Sequence, residues 1–445
     1  MALSPEAEDE AVELLRALIR VDTTNPPGLE RAAAEVLADS LAKDGLEPKL
    51  VQAAKDRTSL VARLKGKGTK PPLLLTAHLD VVPAEASRWK HGPFSATLDD
   101  GWIYGRGAVD MKNMAAMSAM VLKLLRREKV TLERDLIFAA VADEEAGCAL
   151  GSKFLVDDYP ELVRAEYALG EVGGFTQEMS GRRLYPIQCA QKGVVWLKAR
   201  VEGVPGHGSM PRDDNPVVRL AAALAKLTPT ALPAHATRAA ERFIRGMAAA
   251  QPLLGRLLMP LLLKPALAET LLARLPDRGA ARALGAILRN TATPTVLRAG
   301  SKTNVIPSFA EAEIDGRTLP GQTVEALLRE LRAVLGDDVH LEVLHAADPV
   351  EVSPETPMFA ALARAVREMD PEGVPVPYVI PGFNDAGPFS RLGTTFYGFA
   401  PICFPRTPKV SFAELYHGDD ERIPVDGFKR GLGALYSTVR GWCTA

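Results

Sequence analysis

Two histidines and several acidic residues of this 445-residue chain stand where they could hold metal ions. His78 and Asp80 close the run Leu73-Leu-Leu-Thr-Ala-His78-Leu-Asp80-Val-Val-Pro83, which follows Pro71-Pro72. A short apolar run between prolines reads as a buried strand. Side chains two apart on a strand share a face, so His78 and Asp80 leave it together. A carboxylate beside an imidazole can fix its tautomer and leave the other ring nitrogen to a metal. Asp110 opens a helix, Glu144-Glu145 directly follow an apolar strand, Glu171 ends the strand Tyr167-Ala-Leu-Gly170, and His417 lies in Leu415-Tyr-His-Gly-Asp-Asp420. Singly, each has a plainer reading. His78 could be a hydrogen-bonded loop histidine, Asp110 a helix cap, Glu144-Glu145 a solvated acidic turn, Glu171 a loop acid and His417 a surface histidine. Together, two imidazoles and several carboxylates form the nitrogen/oxygen set that zinc accepts, with cobalt or manganese as substitutes. Two divalent ions bridged by a carboxylate would use such a set to activate a water between them.

The elements that must position these residues follow from pattern. Ser4-Pro5 caps a first helix whose apolar face is Val12, Leu15, Leu18 and Ile19. A second helix spans about Glu30 to Lys43, and strands are expected near Pro48 to Gln52 and Ser59 to Leu64. Asp100-Gly101 reads as a hairpin turn. The helix after Asp110 reaches about Arg127, with Met114, Met117, Val121 and Leu125 as a core stripe. Asp135 to Ala142 is a further apolar strand, followed by a helix to about Asp158. Alternating strands and helices indicate an α/β layer with a mainly parallel sheet. Ligands gather at the carboxyl ends of such strands, where His78, Asp80, Glu144, Glu145 and Glu171 are all expected.

The pattern changes near residue 188. Strands at Gly193–Glu202, Thr293–Ala299, Phe309–Arg317 and His340–His345, with helices from Asn215-Pro216 to about Lys226 and from Val324 to Leu335, spell β-α-β-β-α-β, the α+β ferredoxin-like plan. An extra helical segment covers about 236–290. The expected organisation is a catalytic domain at 1–188 and 350–445, with 189–349 inserted as a lid or dimerisation domain.

Composition excludes other classes. Hydrophobic content of 47% and charged content of 24% are those of a soluble globular protein. A net charge of −2 offers no electrostatic footprint for nucleic acid. Cys148, Cys189, Cys403 and Cys443 show no paired spacing, which fits a reducing, cytoplasmic setting. The acidic N-terminus has no apolar core of a signal peptide. The most apolar long segment, Leu253 to Leu275, is broken by Arg256, Pro260, Lys264, Pro265 and Glu269, so it is no transmembrane helix. It reads as a buried or partner-covered helical pair, with a helix lying on a membrane surface as the alternative.

The motifs His78-Leu-Asp80-Val-Val-Pro83, Gly105-Arg-Gly-Ala-Val-Asp110-Met-Lys112, Asp143-Glu-Glu-Ala-Gly147, Gly206-His207-Gly-Ser209, Lys302-Thr-Asn304-Val-Ile-Pro307 and Asp315-Gly-Arg317-Thr-Leu-Pro-Gly321 occur in this order. Over essentially its whole length the chain resembles the M20 family of metallopeptidases and aminoacylases, the group of carboxypeptidase G2, succinyl-diaminopimelate desuccinylase, acetylornithine deacetylase and aminoacylase-1. The resemblance implies two divalent ions, zinc in first place, bridged by Asp110. It implies His78 and Glu171 as further ligands of one ion, and Glu145 and His417 of the other. Asp80 resembles the carboxylate that orients His78. Glu144 resembles the general base that takes a proton from the metal-bridging water and passes it to the leaving nitrogen. His207 resembles a histidine that reaches the partner subunit's site and donates to the tetrahedral oxyanion. Arg317 resembles the residue that grips the substrate carboxylate, and Asn304 another substrate contact. A cis peptide bond is implied at Asp110-Met111.

The implied activity is hydrolysis of amide or peptide bonds in small substrates with a free carboxylate, N-acyl amino acids or small peptides, by a homodimer. Carbamoyl or ester hydrolysis on the same two-metal site is an alternative, and a non-catalytic binding protein is another. Glu171 resembles the deacylase and desuccinylase side of the family. Pro381-Gly-Phe-Asn384-Asp385-Ala-Gly387 matches a substrate-side loop only in part, and the long helical insertion resembles larger aminoacylase-1-like and vacuolar carboxypeptidase-like members.

Overall fold

The computed structural model describes residues 3–228, 232–275, 278–407, 410 and 412–445. The chain divides into two compact units, one of Met1–Cys189, Val352–Tyr378 and Asn384–Ala445, the other of Ala190–Glu351 and Val379–Phe383. Val379–Phe383, expected in the catalytic domain, groups with the second unit, where the Ile380 carbonyl accepts from the Lys192 backbone N–H.

The centre of the first unit is four parallel strands in the order Leu136–Val141, Leu73–His78, Tyr167–Gly170 and Thr395–Gly398. Antiparallel strands Arg57–Leu64 and Lys49–Ala54 extend one side, and Arg182–Gln191 the other. Every residue of the Leu73–His78 and Leu136–Val141 strands is buried. Alternation divides their side chains between two cores. Leu73, Leu75, Ala77, Leu136, Phe138 and Ala140 enter the larger core, while Leu74, Ile137, Ala139 and Val141 enter the smaller. The larger core is shared with the helices Pro5–Ile19, Lys112–Arg127, Pro357–Met369 and Val425–Thr444. Ser4 caps the first of these, its hydroxyl accepting from the Ala7 N–H.

The Lys112–Arg127 helix is buried all round as far as Leu125, not only along the expected Met and Leu stripe. Two lysines go inside with it and remain hydrogen-bonded. Lys112 Nζ donates to the Val21 carbonyl at 2.7 Å, and Lys123 Nζ to Ser40 Oγ at 2.8 Å. Burial lowers Lys112 to about 7, against the pull of Asp22, Glu421 and Asp80.

In the second unit, antiparallel strands run in the order Thr291–Ala299, Phe309–Thr318, Gly193–Glu202, His340–Ala347. The helices Pro216–Leu224 and Val324–Leu335 pack on one face through Leu220, Ala223, Leu327, Leu331 and Leu335. The helical segment between the first helix and second strand contains Arg238–Ala249, Leu253–Leu258, a 3-10 turn at Met259–Leu263, Pro265–Ala273 and Arg278–Ile287. Its far end is tied to the sheet by Lys192, whose Nζ donates at 3.0 Å to the Ala286 and Arg289 carbonyls and to Thr291 Oγ1.

Candidate metal centre

The parallel strands deliver their acids to one edge. His78 is the last residue of its strand and lies in register with Val141. Glu144 and Glu145 follow the Leu136–Val141 strand, and Glu171 follows Gly170. Left-handed backbone turns the chain around these residues. Asp143 has φ 66°, Val172 φ 59° and His417 φ 59°. Such a conformation costs roughly 1–2 kcal/mol for a non-glycine residue, and for a β-branched valine it is an outlier. Strain of this kind persists only where neighbours over-determine it. The Asp110–Met111 peptide bond is cis, as the resemblance implies.

Asp110 lies between the two imidazoles. Its Oδ1 is 3.0 Å from His78 Nε2, and its Oδ2 is 3.0 Å from His417 Nε2. Glu171 Oε2 is 3.7 Å and Glu144 Oε2 4.0 Å from His78 Nε2, while Glu145 Oε2 is 3.3 Å from His417 Nε2. Asp110 is not a helix cap, because its carboxylate is turned to the histidines and the following helix has no side-chain cap. Nor is Glu144-Glu145 a solvated turn, since Glu144 is buried and Glu145 half-buried. His417 is partly open to solvent yet sits over Asp110 and Glu145.

The cluster fits cations better than it fits itself. Asp110 Oδ2, Glu145 Oε1 and Glu171 Oε1 are buried without a hydrogen-bond partner. The approach of His417 to Asp110 Oδ2 is therefore close without the alignment of a hydrogen bond. Buried carboxylate oxygens left unpaired are costly, and a divalent ion removes that cost. Ligand atoms of His78, Asp110 and Glu145 lie within 4.8 Å of one another, and so do those of His78, Glu144 and Glu171. The electrostatics agree. Burial opposes charge on His417, but Asp110 and Glu145 outweigh it and hold the imidazole up at about 10. Burial, then the neighbouring Glu171 carboxylate, pushes Glu144 well above the usual carboxylate range. Burial raises Glu171 to about 7 even though His78 opposes it.

Asp80 touches more than His78. His78 Nδ1 meets the Asp80 backbone carbonyl at 2.9 Å, and the Asp80 carboxylate only at 3.5 Å. That carboxylate instead accepts from the backbone N–H groups of Glu144 and Glu145, each at 3.1 Å, and from Asn25 Nδ2 at 2.8 Å. It thus holds the acidic turn as well as the histidine. Behind the turn, Arg57 bonds Glu30 through two nitrogens at 2.8 Å and Asp143 at 2.6 Å. Gly28, at φ 78°, makes room for this guanidinium, since a Cβ there would lie 2.3 Å from Arg57 Cζ.

Sequence reading missed three supports. Glu421, fully buried, accepts from Arg106 Nη1 at 2.8 Å and from the backbone N–H groups of Gly107, Val109 and Asp110. Nothing in Asp419-Asp420-Glu421 marks its third acid as the buried one. Asp385, in the loop with the partial motif match, is buried against Ser152 Oγ at 2.5 Å and Cys148 Sγ at 3.3 Å. Tyr416 stacks on His417 at 4.4 Å and adjoins Phe412, itself stacked on Phe175 at 3.9 Å. These rings, with Val109, Met111, Val172 and Ala400, form an apolar wall beside Asp110 and Glu171.

The remaining candidates lie in the second unit. His207 is exposed, with Nδ1 2.7 Å from Ser209 Oγ, and pairs with Val305 in a two-residue strand. The Gly208 N–H donates to the carbonyl of exposed Asn304 at 2.9 Å, so His207 and Asn304 belong to one loop cluster. Arg317 gives its Nε and Nη2 to Asp315, two residues back on the same strand.

Residues 74–441 match Peptidase family M20/M25/M40. The chain belongs to this family. Human N-fatty-acyl-amino acid synthase/hydrolase PM20D1 is 30% identical over 378 residues, covering 83% of this M20 chain and 74% of that protein. Human aminoacylase-1 is 27% identical over 440 residues, covering 96% of this chain and 94% of the relative. The M20 family metallo-carboxypeptidase Sso-CP2 from Sulfolobus solfataricus shares the fold at a TM-score of 0.73 and 18% identity, over 97% of this chain and 99% of that one. The Bacillus subtilis YXEP protein, described as a dinuclear metal binding peptidase from the M20 family, has a TM-score of 0.60 at 14% identity, over 98% of each chain. This M20 chain is accordingly a metal-dependent hydrolase of the metallopeptidase and aminoacylase kind.

Proposed function

We propose that the chain hydrolyses the amide bond of N-acyl amino acids that keep a free carboxylate, using two divalent ions, zinc in first place. The observation that carries this reading is Asp110, whose two carboxylate oxygens each face a different imidazole at 3.0 Å. His78 and Glu171 would complete one ion's protein ligands, Glu145 and His417 the other's. Bound there, the ions would polarise the scissile carbonyl and make water acidic enough to attack it at neutral pH. Glu144, raised by burial and by its acidic neighbours, is suited to take the proton from the attacking water and give it to the leaving nitrogen.

His207, on an exposed loop with its Nδ1 engaged by Ser209, is left with Nε2 to donate to the developing oxyanion of a partner subunit's substrate. The second unit then serves as lid and dimer contact. Arg317, with Nη1 unengaged by Asp315, would grip the substrate carboxylate, and Asn304 would lie next to His207 around the same substrate. The names of the relatives, an N-fatty-acyl-amino acid hydrolase and an aminoacylase, support acyl amino acids over peptides. Four buried cysteines outside any disulfide support a reducing, cytoplasmic setting.

The test is a hydrolysis screen of the zinc-, cobalt- and manganese-loaded protein against N-acetyl, N-succinyl and long-chain N-acyl amino acids and dipeptides. Turnover of acyl amino acids is expected, and Glu144→Gln should lower kcat by about 10²–10⁴-fold with the metal content unchanged. Cleavage of dipeptides alone would overturn the substrate class, and undiminished turnover in the variant would overturn the role of Glu144.

A further inference from the structure

The helical segment of the second unit carries an exposed apolar face. Leu253, Leu254, Leu257 and Leu258 make up four of the six residues of their helix and are 74%, 69%, 64% and 46% exposed. Leu253 and Leu254 are the most exposed of the large apolar side chains described. The spacing i, i+1, i+4, i+5 places all four on one side. The helix runs straight into the 3-10 turn Met259–Leu263, where buried Leu262 anchors it. Of the expectations for this stretch, burial in the chain's own core does not hold at its first turns, which leaves cover from outside.

The segment that carries this face has an excess of positive charge. Residues 236–290 hold nine basic and three acidic residues, an excess of six positive charges in a chain whose net charge is −2. Arg256 belongs to the same helix, between Leu254 and Leu257 in sequence but turned away from the leucine side. Arg256, Lys264, Arg274 and Arg282 are exposed and have no acidic partner among the described residues. No described helix is long and apolar enough to cross a membrane, so any lipid contact would be at a surface.

We propose that this face seats on an anionic lipid bilayer, with the leucines in the acyl boundary and the cations against lipid phosphates. Apolar residues beside unpaired arginines and lysines are what a helix lying in the interface plane needs. A protein partner fits the composition less well. Binding hot spots are built from Trp, Tyr and Arg with leucine under-represented, and residues 251–275 contain no aromatic side chain. A second copy also fits less well, because a two-fold contact sets this patch against itself and so brings two segments of net positive charge together.

The test is flotation of the full chain with vesicles of phosphatidylcholine alone and of phosphatidylcholine mixed with phosphatidylglycerol. Binding to the anionic vesicles should be at least about tenfold tighter and should weaken with added salt. Leu253→Ser/Leu254→Ser/Leu257→Ser should abolish it, and Arg256→Glu should weaken it, with thermal unfolding unchanged because these side chains already face solvent. Absence of binding, or equal binding to both vesicles, would overturn the proposal. So would self-association in sedimentation velocity that the leucine variant abolishes, which would assign the face to a second copy. Flotation reads no catalysis, so its outcome is independent of the hydrolase reading.

Discussion

Asp80 and Asp110 show how differently two buried aspartates are used. Asp80 accepts hydrogen bonds from the acidic turn and from the Asn25 side chain, so much of its charge goes into holding the turn in place beside His78. Asp110 keeps an unpartnered oxygen and two imidazoles that its charge holds protonated. Metal binding must displace those protons. Burial opposes charge on His78 too, but Asp110, Asp80 and Glu171 outweigh it and raise that imidazole. Between the ordinary histidine value of 6.5 and about 10, the metal-free site thus keeps protons that a free imidazole would have shed. Zinc uptake near pH 7.5 should therefore release protons, and affinity should rise as pH rises toward 10. Calorimetry in two buffers of different ionisation enthalpy measures this release; a buffer-independent heat would contradict it. At this scale the sequence was legible for which residues meet, since the ends of parallel strands bring His78, Glu144, Glu145 and Glu171 to one edge. Glu421 was not legible, because its role is to accept three backbone N–H groups, and backbone geometry leaves no mark on side-chain spacing.

Among the elements, the segment Gly105–Asp110 is held by Glu421 rather than by its own secondary structure. Glu421→Ala would leave Arg106 buried without its partner and free the segment that presents Asp110. Breaking a buried pair of this kind costs about 3–5 kcal/mol. Urea unfolding of the metal-free variant should show a loss of that order, together with weakened metal binding; a change below about 1 kcal/mol would make the contact incidental. Lys192 does a comparable job for the helical segment. Burial, with Arg317 adding to it, lowers this lysine from 10.5 to about 7. Below pH 7 the folded and unfolded chains both carry the proton, and the folded chain bears the full cost of burying it. From pH 7 to 10.5 the unfolded chain keeps a proton that the folded chain has shed, so this group's contribution to stability rises with pH. The deficit of Lys192→Met relative to the native chain should accordingly grow between pH 7 and 9.5, as chemical unfolding of both proteins at the two pH values would show. A constant difference would refute it. The elements themselves were readable where caps and breaks are local, as at Ser4-Pro5 and Asp100-Gly101. For the Leu253–Leu258 face the sequence left burial and outside cover open, because an apolar run states that a surface wants cover and not that the fold supplies it.

Across the whole molecule, the order of motifs along the chain revealed the family, while the assignment of Val379–Phe383 needed the folded chain. That short segment joins the second unit through main-chain pairing to which its side chains contribute no signal. The proposed division of labour between subunits makes a sharp prediction. His207→Ala should lower kcat with metal content unchanged. Mixing that inactive variant with Glu144→Gln and allowing subunits to exchange should restore part of the activity, because a mixed dimer rebuilds one site with Glu144 from one chain and His207 from the other. No recovery after verified exchange would place His207 in its own subunit's site. The cysteines add a different consequence. Cys148, Cys189, Cys403 and Cys443 are all buried and none is in a disulfide, and every one belongs to the first unit. Cys148 lies directly beneath the acidic turn, its N–H bonded to the Asp143 carbonyl and its Sγ to Asp385. The chain thus carries its own set of clocks. The rate at which each thiol becomes open to an alkylating reagent reports how often its part of the catalytic half breathes, while the other half ticks unrecorded.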